Sequence, residues 1–175
     1  MKWYDNTEYV CQKGYARLWM LRRLKGLGAS ISEMLDVYEK QVRSVLELAV
    51  PVWQPALTQL EKSQIERVQR CALYIILGDD YISYDQALEL LECDNLEERR
   101  VKLCDNFAKK AYTNEKYRNW FTINDEPIPT LNTRSAENRV RNVLKPINTR
   151  TDRYQKSPLP YLTNTLNRLM NKVNQ

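Results

Sequence analysis

The residues of this chain that carry the most chemistry are few, and their spacing decides what they can do. Asp79, Asp80 and Tyr81 follow Gly78, and adjacent carboxylates of this kind bind magnesium in polymerases and nucleases. A two-metal site needs further carboxylates on a rigid scaffold. Here the pair falls just beyond a helix end with Asp85 the only near candidate, so a polar loop is expected and no metal. The four cysteines, Cys11, Cys71, Cys93 and Cys104, have no paired spacing, and the chain has no histidine. Zinc-knuckle and zinc-finger readings fail on that count, leaving buried free thiols. No Gly-rich phosphate cradle and no nucleophile with a base beside it is present, so no cofactor is implied and no independent enzyme is expected.

What remains is cationic. The net charge of +5 conceals a division, because residues 1–126 hold 18 Lys/Arg and 20 Asp/Glu whereas residues 127–175 hold 9 and 2. Arg134, Arg139, Arg141, Lys145, Arg150, Arg153 and Lys156 in the tail are the first candidates for phosphate contact, which needs charge but no base sequence. Tyr154 and Tyr161 lie beside them and can stack on exposed bases. A soluble extension is the alternative reading of the same stretch. Arg22, Arg23 and Lys25 form a second patch, with solvated charges on a partly buried helix as its alternative. Arg100 projects into an apolar face, where an unpaired guanidinium is costly, and a structural ion pair is expected there.

The elements that must position these residues read as helices. Gly is scarce, at 4 of 175 residues, and the long apolar runs have helical period, which predicts an all-α fold. The most regular stretch is residues 35–53, where Leu35, Tyr38, Val42, Val45, Leu46, Ala49 and Trp53 form one stripe. Asp36 with Lys40 and Arg43 with Glu47 are spaced as pairs on its wet side. Pro51 cannot donate to the carbonyl of Glu47, so this central helix is expected to kink there.

An earlier helix should run from Glu8 to Leu27 and close at Gly26 and Gly28, with Ala16, Met20, Leu24 and Leu27 along one side and Cys11, Tyr15 and Leu18 nearly opposite. Ser30 with Glu33, Thr58 with Glu61, and Asp94 with Glu97 have capping-box spacing, and Ser83 with Gln86 caps a short helix. The third helix carries Ile65, Val68, Ala72, Ile75 and Ile76 inward and Glu66 paired with Arg70 outward. Residues 1–121 therefore read as a small bundle of about five helices with a kinked central helix. Residues 122–157, rich in Pro, Asn and Thr, read as a largely irregular basic linker, and residues 158–175 as a short terminal helix, docked or folding on binding. No apolar run reaches about 18 residues and the first ten residues lack a signal core, which predicts a cytoplasmic or nuclear location with no membrane partner.

Several ordered blocks carry a family resemblance. GYARLWMLRRLKGLG (14–28), YEKQVRSVLELAVPVW (38–53), IERVQRCALYIILGDDYISYDQAL (65–88) and LEERRVKLCDNFAKK (96–110) together resemble the region just after the catalytic core in non-LTR retrotransposon reverse transcriptases of animals. TDRYQKSPLPYLTNTLN (151–167) looks like the way such reading frames end. The resemblance implies thumb-like helices that lie along primer-template duplex and touch its backbone. It also implies that the magnesium-binding acidic box of the polymerase lies outside this sequence, since Gly78–Tyr81 has neither its residue order nor its strand flanks. On that reading the chain is a non-catalytic, thumb-like part of an RNA-directed DNA polymerase, as a truncated element, a gene-model fragment or a domesticated remnant. The alternative is a helical interaction or self-association module that exposes apolar surface.

Overall fold

The computed structural model describes residues 4–124 and 143–173. Among them helix is the dominant structure, and the only β pairing is a single antiparallel bridge between Ile123 and Leu144. The all-α bundle with a kinked central helix is the observed architecture. The chain forms two compact units, residues 1–102 and 103–175.

The first unit is built on α1 (Tyr4–Gly26) and α5 (Gln59–Leu77), which run side by side in the same direction: Gly14 lies against Val68, and the Lys25 ammonium donates to the Ile75 carbonyl at 2.8 Å. The α1 stripe that goes inward is Thr7, Val10, Cys11, Gly14, Leu18 and Leu21. The stripe expected from Ala16, Met20, Leu24 and Leu27 does not bury, and Leu27 is 78% exposed. The reason is Gly14. A Cβ there would sit 2.9 Å from both Leu46 Cδ2 and Val68 Cγ1, so only glycine lets three elements converge at this point. Gly28, at φ 79°, closes α1, with the Ala29 amide returning to the Leu24 carbonyl at 3.0 Å.

The central helix begins as α2 (Ile31–Val37) behind a complete Ser30–Glu33 capping box, passes through a π turn (Tyr38–Arg43), and continues as α3 (Ser44–Leu46). Its buried residues are Met34, Tyr38, Val42, Leu46 and Val50, a strict four-residue step. In a plain α-helix each such step overshoots a full turn by about 40°. The wider π turn, bonded i to i+5, falls short of a turn over four residues and brings the stripe back into line. Fully burying each large apolar side chain in this stripe contributes roughly 1.5–3 kcal/mol. Leu35 and Val45 end up half-buried and Ala49 exposed.

The kink itself comes at residues 47–49, just before the proline. Ala49 adopts a left-handed conformation, φ 53°, and Pro51 lies in the first turn of α4 (Val50–Trp53), where a missing N–H costs nothing. The Trp53 indole donates to the Leu48 carbonyl at 2.8 Å and braces the break. A Thr58–Glu61 capping box then starts α5, Gly78 at φ 61° ends it, and α6 (Tyr84–Leu90) follows with Ser83 as its cap.

The charge pairs rearrange relative to the spacing rules. Asp36 and Lys40 do pair, at 2.6 Å, but Arg43 pairs with Glu39 at 2.7 Å and Glu47 is taken by Arg99. At the start of α7 (Leu96–Thr113) the cap is Asn95, whose side chain accepts from the Glu98 amide at 2.8 Å. Asp94, expected in that role, instead holds Lys102 at 2.7 Å, and that ammonium keeps its carboxyl below the usual range.

The second unit contains the later part of α7, α8 (Glu115–Arg118), α9 (Asp152–Gln155) and α10 (Pro158–Val173). Its core joins Ala108, Ala111, Phe121, Leu144, Leu162 and Leu166. Asn167 on α10 grips the backbone of Leu144 at both poles, accepting from its N–H at 2.8 Å and donating to its carbonyl at 3.0 Å. A buried amide side chain thereby does for Leu144 what a neighbouring strand would do. The terminal helix is docked, and Arg168 adds an ion pair to Asp105 at 2.6 Å. Within the stretch read as a linker, residues 122–157, Leu144 thus joins the same core as Phe121, residues 145–150 lack regular structure, and the one-turn α9 follows Thr151 as cap.

Candidate nucleic-acid interface

On the outer side of the first unit the seam between α1 and α5 carries two neighbouring hollows. One, of about 270 Å³, is lined by Tyr4, Glu8, Cys11, Gln12, Tyr15, Gln64 and Arg67. The other, of about 370 Å³, is lined by Arg22, Arg70, Cys71, Tyr74, Ile75 and Tyr81. Parallel packing accounts for the order, since residues near the starts of both helices meet in the first hollow and residues near their ends meet in the second. Burial holds the Tyr15 hydroxyl above its ordinary value, with Arg67 pulling the other way. The Cys11 thiol is pushed up to about 11 by burial and so stays a neutral packing group.

The cations of this unit fall into two kinds. Most are occupied: Arg17 donates to the Gln41 carbonyl, Lys25 to that of Ile75, and Lys40, Arg43, Lys62, Arg99 and Lys102 are in ion pairs. Lys25 works structurally, at the Ile75 carbonyl in the last turn of α5 and in the space a Cβ of Gly78 would fill. Among the described residues, Arg22, Arg23 and Arg67 have no ion pair or hydrogen bond, and Arg70 only stacks on the Tyr84 ring, 4.7 Å from its centroid. Three of these four arginines line the seam, and Glu8 is the sole carboxylate among the described residues that does, although Arg67 and Arg70 also border a neighbouring hollow that holds carboxylates. Aromatic surface accompanies them, for Tyr74 is 59% exposed and its ring meets Tyr81 edge-on at 5.4 Å.

Of the residues expected from sequence, Arg22 belongs to this seam, Arg23 is exposed on α1, and Lys25 is committed to α5. Arg67, Arg70, Tyr74 and Tyr81 are additions. Their signal was legible, because Arg67, Arg70 and Tyr74 recur at three- and four-residue steps on the side of α5 away from its stripe. The expected Glu66–Arg70 pair masked it. Glu66 in fact accepts from the Tyr84 hydroxyl and from the Leu96 amide at 2.9 Å, which releases Arg70 outward. Burial first, and then Glu66, raise the Tyr84 hydroxyl far above its ordinary value.

A third hollow, of about 390 Å³, lies between α5, α6 and the start of α7, but its cations Lys62, Arg67 and Arg70 face the carboxylates Glu66, Asp85 and Glu97. Lys62 and Glu97 are joined at 2.6 Å, so the hollow has no excess charge to offer an anion. Asp79 and Asp80 form an exposed turn, and among the described residues no three His, Cys, Asp or Glu side chains gather as a metal site requires.

Arg100 is fully buried in the first unit. Its Nε donates to Gln54 Oε1 at 2.8 Å, while Nη1 and Nη2 have no hydrogen-bond partner among the described residues. Glu66, Glu97 and Glu47 favour its charge through space without reaching it as hydrogen-bond partners, so the group opposite Arg100 is an amide where a carboxylate was expected. In the second unit Arg150 and Arg153 are exposed without an ion pair among the described residues, and Lys156 is paired with Asp152 at 2.8 Å. Lys145 donates its backbone amide to the Thr122 carbonyl at 2.8 Å, beside the Ile123–Leu144 bridge. Tyr154 is exposed and Tyr161 packs against the core of that unit. Arg134, Arg139 and Arg141 lie outside the described residues.

The chain matches no protein-family model, no curated protein and no solved structure. No helix among the described residues is long and apolar enough to cross a membrane.

Proposed function

We propose that this chain is a non-catalytic, thumb-like helical region of a non-LTR retrotransposon type RNA-directed DNA polymerase, which holds nucleic acid by its backbone without reading bases. The observation that carries the reading is the row of arginines without ion pairs among the described residues, Arg22, Arg67 and Arg70, along the α1–α5 seam, in a unit where Lys40, Arg43, Lys62, Arg99 and Lys102 are held in ion pairs. Leaving arginines unpaired beside one another is unfavourable for folding and useful for contacting phosphate. Exposed Arg150 and Arg153 in the second unit add sequence-independent charge of the same kind.

The test is titration of the full chain and of Arg22→Gln/Arg67→Gln into a labelled RNA–DNA primer-template duplex across a salt series. Each phosphate contact contributes about −0.9 to the slope of log K against log salt, so losing two contacts should flatten the slope by about 1.8. Binding absent at low salt, or a double variant with the parent's slope, overturns the proposal. Salt-insensitive self-association would favour the interaction-module reading, for which exposed Leu27 and Ile82 supply apolar surface.

A further inference from the structure

The two hollows along the seam differ in chemistry, and the difference bears on what form of nucleic acid enters them. The hollow formed by Tyr74, Tyr81, Ile75 and Cys71 is walled by apolar and aromatic side chains, with Arg22 and Arg70 as its charged members. Duplex backbone presents phosphate and sugar, which need cations and polar donors and gain nothing from an aromatic wall. An unpaired base is different. It offers a flat apolar face to stack and, next to it, a phosphate for arginine.

The tyrosines are held in place by their surroundings. Tyr74 stands on the last turns of α5, and Tyr81 is the first residue after the short turn Gly78–Asp80, which opens on Gly78 at φ 61°. The edge-on contact at 5.4 Å and 80° fixes each ring against the other while Tyr74 stays largely exposed. Arg70 is fixed in turn by stacking on Tyr84, and Arg22 has no competing carboxylate in the hollow. Asp79 and Asp80, on the connecting turn, are not part of the lining.

We propose that the Tyr74–Tyr81 hollow is a stacking site for an unpaired nucleotide, with Arg22 and Arg70 on the adjoining phosphates, so that the seam takes single-stranded nucleic acid in preference to duplex. This rests on the nucleic-acid reading above and narrows it to a strand form. Stacking itself is indifferent to base identity, because every base presents a π face, and Arg22 and Arg70 are assigned to phosphates and not to base edges.

The experiment compares the full chain with Tyr74→Leu and Tyr74→Trp, using a labelled fifteen-nucleotide oligo(dT) and a labelled duplex of the same length at one salt concentration. Leucine keeps apolar bulk and removes the ring, whereas tryptophan keeps a ring. Tyr74 is exposed, so both variants should melt with the parent, and circular dichroism checks this. Expected are tighter binding of the single strand by the parent, a loss of about 5- to 100-fold for Tyr74→Leu on the single strand alone, and near-parent binding for Tyr74→Trp. Equal losses on both probes, or no loss on the single strand, overturn the stacking site while leaving backbone binding intact. Failure of the parent to bind either probe overturns the wider proposal as well.

Discussion

Replacing Arg100 and Gln54 together should leave the protein as stable as the parent or more so, although replacing Gln54 alone should damage it. Among the described residues the fully buried guanidinium has one hydrogen bond, from Nε to Gln54, and two nitrogens without partners. Burying a charge costs several kcal/mol even after relaxation, whereas a hydrogen bond to a charged group returns about 1.5–3 kcal/mol. Desolvation acts to lower the Arg100 pKa, opposed by the fields of Glu66, Glu97 and Glu47. Those carboxylates are engaged elsewhere, by Tyr84 and Leu96, by Lys62 and by Arg99 respectively. The guanidinium is therefore a net cost that Gln54 partly offsets. Gln54→Leu removes the offset and should cost about 3 kcal/mol, or roughly 6–12 °C in melting temperature for a chain of this size. Arg100→Met with Gln54→Leu removes both groups and should fall between no change and about 2 kcal/mol of added stability. Urea unfolding followed by circular dichroism gives both values, provided the m-value is unchanged. A double variant less stable than Gln54→Leu alone would refute the reasoning, since it would mean that the three carboxylates make the buried charge favourable.

Two further outcomes follow from packing and from pH. Gly14→Ala gains up to about 1 kcal/mol of helix propensity but forces a Cβ to within 2.9 Å of Leu46 and Val68, an overpacking cost of about 1–3 kcal/mol, so a lower urea midpoint is expected. Unchanged or raised stability would show that Leu46 and Val68 yield to a Cβ at position 14 at little cost. Burial raises the Tyr38 hydroxyl above its ordinary value of 10.0, so the folded state holds its proton after the unfolded chain has lost it. The stability from neutral Tyr38 is therefore complete below pH 10 and declines as pH rises, by about 1.4 kcal/mol per pH unit until the folded group also titrates. Tyr38→Phe should remove that part of the alkaline slope in unfolding experiments, at the expense of the hydrogen bond to Gln69. An unchanged slope would assign the alkaline loss to other groups.

The parts of this architecture that were readable from sequence are those set by local chemistry. Ser30 with Glu33 and Thr58 with Glu61 close their capping boxes because both partners lie within one turn. Gly28 and Gly78 end helices by adopting positive φ. What was not readable depends on residues far apart in the chain or on small side chains. Gly14 and Thr7 mark the buried face of α1 without any hydropathy to signal it. The four-residue stripe of the central helix is out of phase with an α-helix and makes sense only with the π turn present. Gln54 is 46 residues from Arg100, and nothing local picks an amide over a carboxylate. The arginines of the seam were hidden for a related reason: spacing assigned Glu66 to Arg70, while tertiary structure gave Glu66 to Tyr84 and Leu96.

The π turn also sets how this helix can change in length. A π turn holds one residue more than the α turn it replaces, so residues 38–43 behave as a single-residue insertion locked inside a helix. Deleting one codon there would restore a plain α-helix with almost the same phase, because six residues at about 82° and five at about 100° both advance the helix by roughly 490–500°. Leu46 would stay against Gly14 and Val50 in the core. In any homologous chain, a one-residue gap falling in this segment therefore keeps the core-facing side of the central helix and its contact with α1.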